Sequence, residues 1–182
     1  EYPSTEDLYD IAGETLEDLW VCGAGGVRHY DGTEWGDLED LGDDINGILV
    51  RDDGVVAVGD NGRAMRLEDG DWVNLASGVA QDLNGIWGTS ADDFWVCGEG
   101  GVIRRYVAGD WSPIASGTST AFNDVWGMTG VGPYFVGNTG FIVQWENGSI
   151  VPMGSGVSDD LVAIDGTSAR NVWAGTAAAS SQ

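Results

Sequence analysis

Several groups of residues in this sequence could do chemistry. The run Asp37-Leu38-Glu39-Asp40-Leu41-Gly42-Asp43-Asp44 places five carboxylates in eight residues. A hard cation such as Ca2+ takes roughly six to eight oxygen ligands, so Asp37, Glu39, Asp40, Asp43 and Asp44 form a candidate calcium set. The spacing matches no EF-hand loop, and a solvated acidic loop is the simpler expectation. A second group is Asn46, Asn84 and Asn123, each preceded by an aliphatic or aromatic residue and followed by Gly or Asp. Their amides could rim a channel and contact a ligand there, or could satisfy nearby backbone groups instead.

Signals for catalysis are weak. His29 is the one histidine in the chain. No second histidine, reactive cysteine environment, phosphate loop or cofactor fingerprint accompanies it. Carboxylate pairs of the kind glycosidases use are plentiful only because acidic residues are plentiful. The chain is expected not to be an enzyme and to need no cofactor, with a glycosidase-like or lyase-like activity as the alternative.

The elements that must position these residues follow from an internal repeat. The segment Leu83-Asn84-Gly85-Ile86-Trp87-Gly88, followed by Phe94-Trp95-Val96-Cys97-Gly98, recurs along the chain. It reappears at Leu8 with Leu19 to Gly23, at Ile45 with Val55 to Gly59, at Phe122 with Tyr134 to Gly137, and at Leu161 with Val172 to Gly175. The marker glycines Gly23, Gly59, Gly98, Gly137 and Gly175 are 36, 39, 39 and 38 residues apart. Each unit divides into four short β-rich runs separated by Gly and Asp turn signals. The dipeptides Asp31-Gly32, Asp69-Gly70 and Asn147-Gly148 precede the fourth run and suit tight hairpins. Pro113 and Pro152 fall at one position of that fourth run. Proline cannot donate to a central ladder, so the fourth strand is expected at the outer edge.

A four-strand unit of about 38 residues in tandem predicts an all-β fold, a β-propeller of four-stranded antiparallel blades. One domain spans 1–182, with blades at about 8–41, 45–78, 83–117 and 122–156 and a partial fifth at 161–182. The short segment before residue 8 could add a strand. Either the ring closes at five blades, the reading slightly preferred here, or these blades belong to a larger propeller.

The pattern Leu-Asn-Gly-Ile-Trp-Gly-Thr-Ser, then Phe-Trp-Val-Cys-Gly-Glu-Gly-Gly and a closing Trp111, resembles tandem propeller repeats of secreted or surface bacterial proteins. It is also distantly similar to photosystem-assembly-factor-like propellers. The resemblance implies the fold and carries no catalytic residues: the sialidase Asp-box and the WD-repeat markers have no clean copy.

Repeated large residues are expected to glue blade to blade. Trp20, Trp95 and Trp173 share one position, while Trp35, Trp72 and Trp111 share another. Tyr30, Leu67, Tyr106 and Trp145 share a third, where the aromatic members could stack on sugar rings. Cys22 and Cys97 stand where other units have Val58 and Val136, one whole blade apart, and are expected to be buried, unpaired thiols.

The formal charge of −23 disfavours nucleic acid and anionic lipid partners. No apolar run reaches the roughly 20 residues that span a bilayer as a helix, so no membrane insertion is expected. Taken together, the residues predict a noncatalytic, extracellular or cell-surface binding module recognising a glycan or protein through the channel rim or the clefts between blades. The alternative is a structural fragment that forms homo-oligomers through its incomplete fifth blade.

Overall fold

A computed structural model describes residues 7–176. The suggested strand before residue 8 and the end of the fifth unit after residue 176 lie outside the described residues. Blade 1 consists of β1 (Leu8–Thr15), β2 (Asp18–Gly23), β3 (Gly26–Tyr30) and β4 (Glu39–Asp40). Blade 2 holds β5 (Ile45–Arg51), β6 (Gly54–Gly59), β7 (Ala64–Glu68) and β8 (Asp71–Asn74). Blade 3 holds β9 (Leu83–Ser90), β10 (Asp93–Gly98), β11 (Ile103–Val107) and β12 (Asp110–Pro113). Blade 4 holds β13 (Phe122–Met128), β14 (Val131–Gly137), β15 (Phe141–Glu146) and β16 (Ser149–Gly154), and the fifth unit has β17 (Leu161–Ser168) and β18 (Asn171–Thr176).

Each sheet is an antiparallel meander in chain order, so the inner strand of each blade comes first and the outermost last. Consecutive inner strands β1, β5, β9, β13 and β17 pack side by side. Pro113 and Pro152 lie on the outermost strands β12 and β16, opposite Arg104 and Val143. There a missing N–H costs the ladder nothing.

The hairpins before the fourth strand explain their residues. Asp69 and Asn147 have φ of 51° and 49°, with Gly70 and Gly148 following at 92° and 84°, as a two-residue turn with both centres left-handed requires. Blade 1 differs from the expectation at Asp31-Gly32. The Asp31 carboxylate accepts the N–H groups of Thr33 and Glu34 at 2.8 and 2.9 Å, and this side-chain-closed turn replaces the tight hairpin. The fourth strand of blade 1 is accordingly displaced to Glu39–Asp40, paired with Gly26 and Val27.

Between the second and third strands of blades 2, 3 and 4 the chain makes a single 3-10 turn, at Asp60–Gly62, Glu99–Gly101 and Asn138–Gly140. Its last residue is always Gly. A Cβ on Gly62, Gly101 or Gly140 would lie 2.1 Å from the carbonyl oxygen of Val79, Thr118 or Val157, where the linker to the next blade crosses over.

The core lies between blades. Trp20, Cys22 and Val27 of blade 1 pack on Ile45, Ile48 and Ala57 of blade 2. Val56, Val58 and Ala64 meet Leu83, Phe94 and Tyr106. Trp95, Cys97 and Ile103 meet Phe122, Val125 and Phe135. Val136 meets Leu161 and Ile164. Both cysteines are buried and unpaired, and burial pushes both thiols up from their ordinary pKa.

Among the described residues the first and fifth units do not close the ring on one another. The inner strands β1 and β17 do not pack together as their neighbours do. Leu8 and Ile11 are 53% and 59% exposed, although their repeat counterparts Ile45 and Ile48 are buried. At the other end Trp173 is 56% exposed, against 5% for Trp20 and 4% for Trp95. The described residues form an arc of blades in which the fifth, two-stranded unit covers blade 4 and is itself uncovered.

Candidate functional site

The inner strands converge on a cavity of about 210 Å³ lined by residues of all five units, among them Tyr9, Asp10, Asn46, Asn84, Asn123 and Asp124. The three asparagines do line it, but their amide groups are directed between blades. Asn46 Nδ2 donates to the Leu83 carbonyl at 3.1 Å, Asn84 Nδ2 to Phe122 at 2.8 Å and Asn123 Nδ2 to Leu161 at 2.8 Å. Each amide thus reaches the first residue of the next inner strand. Asn46 and Asn123 also donate to Asp60 and Asn138 in the 3-10 turns of their own blades. Asn46 and Asn123 thereby use both amide hydrogens, while Asn84 uses one.

Asp10 and Asp124 in the same cavity were not singled out in the sequence. The signal was present: they occupy the repeat position that blades 2 and 3 fill with Gly47 and Gly85. At Gly85 a Cβ would come 2.9 Å from the Asp124 Cα, so the neighbouring strand leaves no room for a side chain. In blades 1 and 4 a carboxylate at this position bridges to the next inner strand. Asp10 accepts Ile48 N–H at 3.0 Å and its neighbour Ile11 N–H at 2.8 Å. Asp124 accepts Ile164 N–H at 2.8 Å and Val125 N–H at 2.7 Å. Burial raises the pKa of both carboxyls. Asp124 is raised to about 6, with desolvation dominant and the charge of Asp10 adding to it.

The five acidic residues of 37–44 do not converge on one point. Glu39 accepts the Trp72 indole N–H at 2.8 Å, Asp40 accepts Gly42 N–H at 2.8 Å, and Asp44 accepts Gly25 N–H at 3.0 Å and the Tyr9 hydroxyl at 3.3 Å. Asp43 pairs with Arg63, which holds its carboxyl below the ordinary range, and also accepts Asn61 Nδ2 at 2.9 Å. Asp37 is exposed. Among the described residues no three His, Cys, Asp or Glu side chains are arranged to hold a metal. Glu39, Asp40, Asp43 and Asp44 are instead engaged separately by indole, amide, hydroxyl and guanidinium partners.

His29 is likewise engaged. Its Nε2 lies 2.7 Å from Asp18, and its ring stacks on Trp20 at 4.3 Å. The equivalent Arg66 and Arg105 pair with Asp92 and Asp93. The third-strand aromatics are mostly packed too: Tyr106 is buried and stacks on Phe94 at 4.8 Å, and Tyr30 lies against Trp35.

Trp145 also packs on the blade 3–4 core but borders open space. It opens into a cleft of about 340 Å³ between blades 3 and 4, with Trp87, Trp95, Met128, Val131 and Pro133 among the lining residues. Trp95 forms its floor, with the Trp145 ring 5.2 Å away. Trp87 is held flat because Gly127 on the next inner strand has no Cβ; one built there would lie 2.7 Å from the indole. Arg105 sits over Trp95 at 5.3 Å and is clamped by both oxygens of Asp93, at 2.9 and 2.8 Å. A cleft of this size, with aromatic walls and one fixed polar pair, has the anatomy of a small binding pocket.

No helix of the described residues is long and apolar enough to cross a membrane. No protein-family model matches the chain, and no curated protein matches it. Solved structures do. YCF48 bound to a D1 peptide superposes with a TM-score of 0.71 at 17% identity, over 96% of this chain and 62% of that one. YCF48 from Cyanidioschyzon merolae gives 0.72 at 16% identity, over 96% and 65%. The extracellular domain of BT4673 from B. thetaiotaomicron gives 0.66 at 14% identity, over 96% and 26%. This chain therefore spans about three fifths of the length of the YCF48 structures it matches. At these identities the likeness establishes architecture alone: the chain is a β-propeller arc similar to YCF48.

Proposed function

We propose that the chain is a noncatalytic binding module that takes a peptide segment of another protein in the cleft between blades 3 and 4. The observation that carries this reading is the convergence of Trp87, Trp95 and Trp145 beside the clamped Arg105–Asp93 pair. The few residues that dominate binding at protein interfaces are enriched in tryptophan and arginine, and a buried indole contributes a large apolar surface. That one structural neighbour is YCF48 with a bound D1 peptide supports a peptide as the ligand class. An extracellular or surface location belongs to the same proposal, and the extracellular domain among the neighbours supports it.

The noncatalytic part rests on how the titratable groups are used. The Asp10 and Asp124 carboxyls resemble an acid–base pair in burial and raised pKa. Both oxygens of each, however, accept backbone N–H bonds, and the cavity of about 210 Å³ is small for a sugar ring with its leaving group. A short-peptide array and a glycan array, probed with the intact chain and with Trp145→Ala, test the proposal. Peptide binding lost in the variant supports it. Glycan binding alone, turnover of a glycan, or no binding on either array overturns it.

A second reading, association of copies, is favoured by the uncovered ends. Every internal interface joins a Trp20-type face to a face carrying the first and fourth residues of an inner strand, and the arc exposes one of each, at Trp173 and at Leu8 with Ile11. Such a contact is head-to-tail and builds rings or filaments. Sedimentation that stays monomeric at all concentrations removes it, and Trp173→Asp should abolish any association seen.

A further inference from the structure

The linker crossing the 3-10 turn creates a cleft in each of blades 2 and 3, and the two are filled differently. In blade 2, Asp43 pairs with Arg63 and accepts Asn61 Nδ2, so a carboxylate and a guanidinium close the space between linker and turn. In blade 3 the three counterparts are Gln81, Val102 and Gly100, and no such ion pair forms. The cleft there is larger, about 550 Å³ against about 270 Å³.

Two further features distinguish the blade 3 cleft. The first is Arg104, at the position of Met65 in blade 2. Its guanidinium lies over Trp111 at 5.8 Å and within 2.8 Å of where a Cβ on Gly78 would be. No carboxylate among the described residues pairs with it, and its Nε–H is shut away from solvent with no acceptor. Arg63, Arg66 and Arg105, by contrast, each pair with an aspartate. A buried donor left unmade is costly. The second feature is Ala121. The residue before the inner strand is Asp44, Asp82 or Asp160 at the other linkers, and each reaches back to a backbone N–H of the preceding turn: Gly25 at 3.0 Å, Asn61 at 2.9 Å and Thr139 at 2.8 Å. Ala121 has no such group, and the corresponding amide is that of Gly100, in the wall of this same cleft.

Blade 3 therefore lacks both the Asp43-type carboxylate of blade 2 and the aspartate that the other linkers place against this turn, and it has Arg104 in the lining of the space. Val79, Val102, Pro113 and Ile114 supply an apolar wall beside it. We propose that this cleft is a binding site for a carboxylate carried on a short aliphatic stem, its carboxylate pairing with the Arg104 guanidinium and its stem lying on the Val102 and Ile114 side. The site is separate from the tryptophan cleft and does not depend on the reading given for that cleft. Guanidinium–carboxylate pairing is among the strong polar contacts, and partial enclosure strengthens it.

The same carboxylate chemistry could come from a free acid or from the C-terminus of a protein. The probes are 4-methylpentanoate for the first and N-acetyl-alanyl-leucine for the second, with the amide of each and inorganic phosphate for comparison. Calorimetry reads affinity, and amide and Arg104 Nε–H resonances of the labelled chain read location. One or both acids should shift Gly100, Gly101 and the Arg104 Nε–H, and the tighter acid identifies the source. The amides should bind at least tenfold more weakly. Arg104→Met, which installs the blade 2 residue, should weaken the acids at least tenfold with an unchanged far-UV spectrum. Ala121→Asp, which restores the carboxylate of the repeat, should do the same while raising the melting temperature. Equal binding of acid and amide, phosphate binding as tight as either acid, or full affinity in folded Arg104→Met overturns the proposal.

Discussion

Trp95 and Trp173 occupy one repeat position on the second strand of their blades, yet one is 4% exposed and the other 56%. The strand, the flanking valine or phenylalanine and the turn behind it are alike in the two units. What differs is the neighbour. Trp95 meets the inner strand of blade 4, where Phe122 and Val125 cover it, whereas Trp173 faces no following blade among the described residues. The comparison teaches that in a propeller the core belongs to the interface between repeats and not to any one blade, as expected where each unit cannot bury its apolar face alone.

The largest effect should come from breaking the covered member of that pair. Trp95→Ala is expected to destabilise the fold by about 3–5 kcal/mol in denaturant unfolding, since it opens a cavity in a packed interface. A loss under about 1 kcal/mol would mean that the blade 3–4 interface is not the packed core described above.

A second effect sets covered inner strands against pH. The Asp124 carboxylate bridges blades 4 and 5 with its pKa raised from 3.8 to about 6. A raised carboxyl favours the protonated folded state, so this contribution is full below pH 3.8 and is lost as pH rises through about 6. A rise of that size corresponds to roughly 2–3 kcal/mol. A carbon-detected titration of the Asp124 carboxyl should show a midpoint near 6. In Asp10→Asn that midpoint should move down, because a like charge has been removed.

Smaller still is the amide staple. Asn84→Ala leaves the Phe122 carbonyl without its side-chain donor and is expected to cost about 1–2 kcal/mol, read as a shift in the urea midpoint with the slope unchanged. Trp173→Ala should be the smallest, within about 0.5 kcal/mol at concentrations where the chain is monomeric. A large loss there would show that a neighbour covers Trp173 after all.

The blade was legible in the sequence because its determinants are local and repeated. The marker glycines, the Asp69-Gly70 and Asn147-Gly148 turns and the placement of Pro113 and Pro152 each report on strand order without reference to anything distant. Ring closure was not legible, since it depends on the accumulated angle between blades. The candidate sites were read less well for a related reason. Asn46, Asn84 and Asn123 were noticed because they repeat, and repetition turned out to mark an inter-blade bond. Asp10, Asp124, Arg104 and Ala121 matter because they break the repeat, and a reading tuned to similarity passes over such positions. The acidic run at 37–44 suggested a solvated loop or a calcium set, and its partners Trp72, Arg63, Asn61 and Gly25 are too distant in the chain to be read from the sequence.

The reading of this chain as a peptide-binding propeller is tested most directly by its tryptophan indole N–H resonances. A peptide recovered from the array is titrated into nitrogen-labelled protein, and the resonances of the nine tryptophans are followed. The expected result is that Trp87, Trp95 and Trp145 shift together and saturably, while Trp20, Trp72 and Trp173 stay in place. Shifts confined to Trp173, or saturable binding that leaves the three cleft indoles unmoved, would contradict it.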